Sequence, residues 1–191
     1  MIAPDKRNEI IQAALELIAE KGFHGAPMAM IAEKSDVAVG TIYRYFENKD
    51  VLINALYKEV EAKILVALRE GYSAEKPFRE RFIHLGTALL RYFISFPLHF
   101  RFMEQYHNSP YGVSLQRDRV MGKAGEPDIF TELFSLGLAQ QVLKDFPLPV
   151  LFDLAFGPLI ALARDHILGF VILDEFLLIR TVEACWDGIK R

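Results

Sequence analysis

The run Thr41-Ile42-Tyr43-Arg44-Tyr45 sets a hydroxyl, two phenols and a guanidinium within five consecutive residues. Hydroxyls and guanidinium groups donate to anionic oxygen, and the Arg fork also matches O6 and N7 of guanine. Ile42 and Phe46 stand at i,i+4 spacing in the same run. A helix there keeps one apolar face for packing and turns Val39, Thr41, Tyr43, Arg44 and Tyr45 mostly outward. Phosphates and base edges are the partners such a surface suits. Gly40 costs about 1 kcal/mol of helix propensity relative to Ala, which points to a close approach of its backbone to another backbone or to DNA. No comparable cluster serves catalysis. His99 and His107 stand eight apart, with no His-x3-His or Cys-His spacing, so no metal is expected. No nucleophile with its base, glycine-rich phosphate loop or dinucleotide fingerprint occurs, so no catalytic residue, enzyme activity or cofactor is expected.

A short reading helix needs others to hold it. The apolar spacing of Ile11, Ala14, Leu15 and Ile18 predicts a first helix from about Pro4 to Lys21, ended by Gly22. Met28, Ile31 and Ala32 place a second helix from Pro27 to Lys34, and Ser35-Asp36-Val37-Ala38 forms the turn into a third, Val39 to Phe46. Asn48 can cap a fourth, from Asp50 to about Glu70. Further helices are expected over Pro77–Phe96, Pro97–Asn108, Pro127–Asp145, Val150–Gly169 and Leu173–Lys190, with Ser109–Glu126 a long loop. The expected fold is all-α, with about nine helices. A three-helix helix-turn-helix domain spans residues 1–48, and a larger helical domain spans 49–191.

A chain of 191 residues that is 52% hydrophobic can bury a sizeable core. Its 22 Lys and Arg against 25 Asp and Glu give a net charge of -3, which excludes a uniformly basic nucleic-acid coat. Residues 1–60 hold seven basic and nine acidic side chains. Cys185 is the sole cysteine, so no intrachain disulfide forms. The apolar region Val150–Ile179 is interrupted by Asp153, Arg164, Asp165 and Asp174, and the amino terminus shows no apolar signal segment. A cytoplasmic protein without a membrane partner is expected.

Gly22-Phe23, Ile31-Ala32, Val37, then Gly40-Thr41-Ile42-Tyr43-Arg44-Tyr45-Phe46 and Lys49 resemble the amino-terminal DNA-binding domain of the TetR family of bacterial transcriptional regulators, over about residues 6 to 56. The resemblance implies that Thr41, Tyr43 and Tyr45 contact the backbone of double-stranded operator DNA, that Lys49 meets a phosphate, and that Val39 and Arg44 face the groove. For Arg44 a phosphate contact or plain exposure remains open, and for Tyr43 a core role. Ala26 and Ala38 replace the hydroxyl residues usual before the second and third helices, and Asp36 stands where the family often has Gly. Given the acidic balance, Lys6, Arg7, Lys34, Arg44 and Lys49 are expected to gather on one face.

Large aromatics crowd residues 78–156. The resemblance implies a small-molecule effector cavity among these helices, with Phe82, Phe93, His99, Phe102, Met103, Tyr106, Phe134 and Phe156 as candidate liners; core packing is the alternative for each. Such a lining points to an apolar or amphipathic effector. Apolar residues nearly encircle the eighth helix and stripe the ninth. The resemblance implies that these two form a homodimer interface, through Leu151, Leu154, Ala155, Pro158, Leu162, Phe176, Ile179, Val182 and Trp186. The implied function is a dimeric, sequence-specific transcriptional regulator, in the family's usual mode a repressor released by effector. The alternative is a helical small-molecule or protein-binding module that no longer binds DNA.

Overall fold

The computed structural model describes residues 6–120 and 128–191, with backbone alone at 116 and 118–120. Pro4 and Pro127, read as helix openers, lie outside these residues. Ten helices are described: α1 (Lys6–Lys21), α2 (Met28–Lys34), α3 (Val39–Tyr45), α4 (Lys49–Arg69), α5 (Phe78–Ser95), α6 (Pro97–His107), α7 (Pro110–Val120), α8 (Ile129–Ala139), α9 (Leu148–Ile167) and α10 (Glu175–Ile189). The expected all-α class holds, and among the described residues the β pairing is an isolated antiparallel bridge between Leu143 and Lys190. None of the described helices is long and apolar enough to cross a membrane.

Contacts gather the chain into two compact units, Met1–Lys63 with Phe96–Met121, and Ile64–Ser95 with Gly122–Arg191. Compactness therefore groups the chain differently from a functional division at 48/49. In the first unit α1 buries Ile10, Ala14, Leu15 and Ile18. Gly22 ends it at φ +74°, as its C′ position requires, with its N–H on Ile18 O at 2.8 Å. Gln105 of α6 donates to the same carbonyl at 2.9 Å, so α6 closes the carboxyl end of α1. Asn48 caps α4 as expected, accepting from Val51 N at 2.9 Å. Tyr106 stacks on Tyr57 of α4 at 4.1 Å and donates to Asn54 Oδ1 at 2.8 Å.

Helix α7 corrects the loop expected over 109–126. Pro110 opens it, and the Ser109 hydroxyl accepts from Tyr111 N at 3.2 Å. Gly112, which reads as a breaker, is there because α7 turns back on α6: a Cβ would lie 2.5 Å from the His107 backbone. Residues 121–126 of that expected loop lie outside the described residues.

In the second unit α5, α8, α9 and α10 surround an aromatic centre. Gly86 brings α5 against α10, where a Cβ would meet Val182 at 2.7 Å. Asp128 caps α8 through Phe130 N and Thr131 N at 3.0 and 2.9 Å. This helix ends at Ala139, not near Asp145, because Gln141 takes φ +57°. Asp174 is the N-cap of α10, accepting from Leu177 N at 2.8 Å, rather than a residue of its first turn.

Candidate nucleic-acid interface

Helix α3 divides its side chains as the i,i+4 spacing predicts. Ile42 is fully buried, and Phe46, just past the helix, is 3% exposed. Val39, Tyr43, Arg44 and Tyr45 are exposed, the tyrosines by 51% and 48%, and Thr41 is half-buried. Two phenols left this open to water, beside an exposed guanidinium, are not packing residues.

The turn from α2 to α3 is built without the hydroxyl caps a helix start prefers. Pro27 and Ala38 occupy the N-cap positions of α2 and α3, and neither makes a side-chain cap bond. Ser35 instead closes the carboxyl end of α2, its buried hydroxyl donating to Ile31 O at 2.6 Å. Asp36 carries the left-handed backbone, φ +50°, at the position where a glycine would be unstrained.

Lys49 lies at the first position of α4, half-buried, and its ammonium donates to Phe23 O. Burial lowers its pKa below the usual lysine value, and Asp50 offsets part of that. An ammonium has three N–H donors, so one bond to Phe23 leaves others for a phosphate. Three of the five cations expected to gather on one face are engaged inside the unit. Lys6 pairs with Glu9 at 3.0 Å, Arg7 with Glu59 at 2.5 Å, and Lys34 with Glu16 at 2.8 Å. These are partly exposed pairs, worth no more than about 1 kcal/mol each.

The eight candidate effector residues are all buried and fall in both units. In the second, Phe82, Phe134 and Phe156 lie with ring centroids 5.7–6.3 Å apart, and Phe93 sits edge-on to Tyr92 at 6.2 Å. In the first, Phe102, Met103 and Tyr106 pack along α6 with His99, which stacks on Phe96 at 5.4 Å. Burial, with the Lys63 charge added, lowers the His99 pKa and favours the neutral ring.

The nine candidate dimer residues divide sharply. Leu151, Ala155, Val182 and Trp186 are covered within the chain's own core, so they are unavailable to a partner. Leu154, Pro158 and Phe176 are exposed, Phe176 by 70%, and Leu162 and Ile179 are half-buried. Sequence reasoning missed Phe170 and Ile172, exposed by 78% and 81% in the α9–α10 connection. That connection is ordered by Gly169 at φ +80° and by His166 Nδ1, which accepts from Leu173 N at 3.1 Å. The signal was available: residues 170–173, between a glycine and a capping aspartate, are all apolar. Cys185 is buried, and burial pushes its thiol up to about 11, so it sits protonated as a small hydrophobe.

Comparison with known proteins gives this geometry its context. The family described as bacterial regulatory proteins, tetR family, matches residues 10–56, and the family described as tetracyclin repressor-like, C-terminal domain, matches residues 77–190. The chain belongs to the TetR family of bacterial transcriptional regulators. An HTH-type transcriptional regulator of Haemophilus influenzae is 26% identical over 189 residues, 98% of this chain and 97% of its own. A solved TetR-family protein of Vibrio parahaemolyticus is 32% identical, with a TM-score of 0.78, over 98% of this chain and 99% of its own. The fatty acid metabolism regulator protein of Bacillus subtilis is 37% identical over 76 residues, only 40% of this chain and 39% of its own length. TetR-family regulators are DNA-binding proteins rather than enzymes, and they generally act as dimers that respond to small molecules.

Proposed function

We propose that this protein is a cytoplasmic, homodimeric TetR-family repressor, released from its operator by a small apolar or amphipathic effector. The observation that carries the reading is α3, with Ile42 and Phe46 packed inward and Tyr43, Arg44 and Tyr45 held out. In this reading α3 enters the major groove. Val39 and Arg44 face base edges, while Thr41, Tyr43, Tyr45 and Lys49 bind the phosphate backbone. Residues 1–48 do the reading, and residues 49–191 dimerise and take the effector.

The dimer contact is assigned to the accessible side chains of the last two helices: Leu154, Pro158, Leu162, Phe176 and Ile179. Gly157 and Gly188 support this, since both are exposed and a Cβ at either would meet nothing in the chain. A dimer of this kind reads successive major grooves with its two α3 helices about 34–36 Å apart, or at another spacing matched to its operator. The effector class is argued from the aromatic interior around Phe82, Phe134 and Phe156, and a relative named for fatty acid metabolism agrees with it. Effector in the 49–191 domain displaces α4, which runs from there into the DNA-reading unit, and the α3 spacing ceases to fit.

The test is selection from a random duplex library with purified protein at moderate and high salt. A palindromic motif is expected. No enrichment at either salt overturns the DNA reading and favours a module that has lost it. With the motif in hand, long-chain acyl compounds are titrated against the complex. A ligand shifts the equilibrium only if it binds the two states differently. Saturation that leaves operator affinity unchanged in every case removes the proposed effector class.

A further inference from the structure

Among the ten glycines whose surroundings are described, seven are required by the fold itself. Gly22, Gly71 and Gly169 have positive φ, and at Gly25, Gly86, Gly112 and Gly137 a Cβ would come within 2.3–2.7 Å of another atom. Gly40 is different. It lies in the first turn of α3, exposed, at an ordinary helical φ, and a Cβ built there meets nothing within 4 Å. The fold would accept a side chain, and an exposed helical position favours Ala over Gly. The sequence left two explanations for Gly40, a neighbouring backbone within the protein or DNA. The open space around it removes the first.

We infer that Gly40 is kept bare by the duplex: it is the point where the α3 backbone itself comes against DNA, and it sets how deeply the helix seats. This rests on the DNA reading proposed above. The exposed neighbours frame the contact. Val39 precedes Gly40, and Tyr43 and Arg44 follow at i+3 and i+4, on the same side of the helix. A methyl at position 40 would hold the helix off the groove and lengthen every hydrogen bond those residues make. Gly40 acts through position, not charge.

The test compares Gly40→Ala with wild type on the duplex that wild type selects. The variant is expected to melt about 2–4 °C higher. Its affinity is expected to fall by about 5- to 100-fold, the range for inserting a methyl into a packed contact. The slope of log affinity against log salt stays that of wild type, because no phosphate contact carrying charge is lost. A variant that binds as tightly as wild type overturns the inference while leaving the DNA reading intact. A lower melting temperature also overturns it, since the fold would then need the glycine. Wild type that retains no DNA overturns the parent reading, and this inference falls with it.

Discussion

Two surfaces of this protein expose large side chains that a monomer in water has no use for, and they differ in what their side chains end in. On α3 the exposed tyrosines and Arg44 carry an apolar body tipped with a donor. On α9, on α10 and in the connection between them, Leu154, Phe176, Phe170 and Ile172 end in carbon. In the proposed reading the first surface is solvated when free and meets phosphate or base edges when bound, so its contacts would be polar and reversible. In the same reading the second gains when another apolar surface removes it from water. Exposure alone does not distinguish a reading surface from an association surface. The chemistry of the exposed tips does.

Phe176→Asp strikes the second surface hardest. Position 176 lies in the first turn of α10, where a negative charge is favoured, and Arg180 is placed at i+4 to pair with it. The protomer should therefore fold as before. On the association face that carboxylate and the Arg180 beside it would both lose their water, a desolvation cost of several kcal/mol that a surface ion pair does not repay. Analytical ultracentrifugation should show monomer, and operator affinity should fall by more than about 100-fold because the two readers are no longer linked. An intact dimer would move the association surface away from the start of α10.

Substitutions on α3 should do the reverse, leaving the dimer and the fold and removing recognition. Arg44→Ala should lose about 1–3 kcal/mol of discrimination between the selected motif and its point variants. Competition binding measures this, and equal loss on all sequences would make Arg44 a phosphate contact. Tyr43→Ala should weaken all sequences alike, by about 1 kcal/mol, with the melting temperature unchanged.

Salt sharpens the comparison further. Lys6, Arg7 and Lys34 are already paired with carboxylates, leaving Arg44 and Lys49 as the α3-side cations in each protomer. With Arg44 on a base edge, the two Lys49 ammoniums of a dimer predict a slope of log affinity against log salt of about -2, and of about -4 if Arg44 meets phosphate instead, well short of a strongly basic repressor. Lys49→Ala should reduce it by about 2. A wild-type slope near -8 would mean that the paired cations leave their carboxylates for phosphates.

What the sequence made legible follows from how far apart the interacting residues lie. The burial of Ile42 and Phe46, the turn at Gly22 and the cap at Asn48 all depend on neighbours within a few residues, and those readings hold. The pairing of Arg7 with Glu59 joins residues 52 apart, and Gln105 closes α1 from 87 residues away. No local pattern announces either. Helix α7 was hidden because Gly112 signals a break by propensity while serving a close contact with α6. The end of α8 was hidden because a glutamine, not a glycine, takes the positive φ. For the candidate dimer face, helical periodicity identified the apolar residues but could not divide those covered by α5, such as Val182, from those left open.

The smallest effect expected is at Asp36, where backbone and charge can be separated. Its φ of +50° is one an L side chain adopts with strain, and Asp and Asn bear it better than most. Asp36→Gly removes the strain and the charge together, whereas Asp36→Asn removes the charge and keeps a side chain suited to that backbone. The strain relieved and the extra chain entropy of glycine oppose each other. The melting temperature should therefore rise by no more than about 2 °C in the glycine variant and hardly move in the asparagine variant. Both should bind DNA slightly more tightly, by about 2- to 3-fold at low salt, since an exposed carboxylate beside α3 repels phosphate and is screened within about a Debye length. Equal gains in the two variants, vanishing at high salt, would place the effect in the charge. A gain confined to glycine would place it in the turn, and would mean that the angle at which α2 presents α3 is still adjustable in this protein.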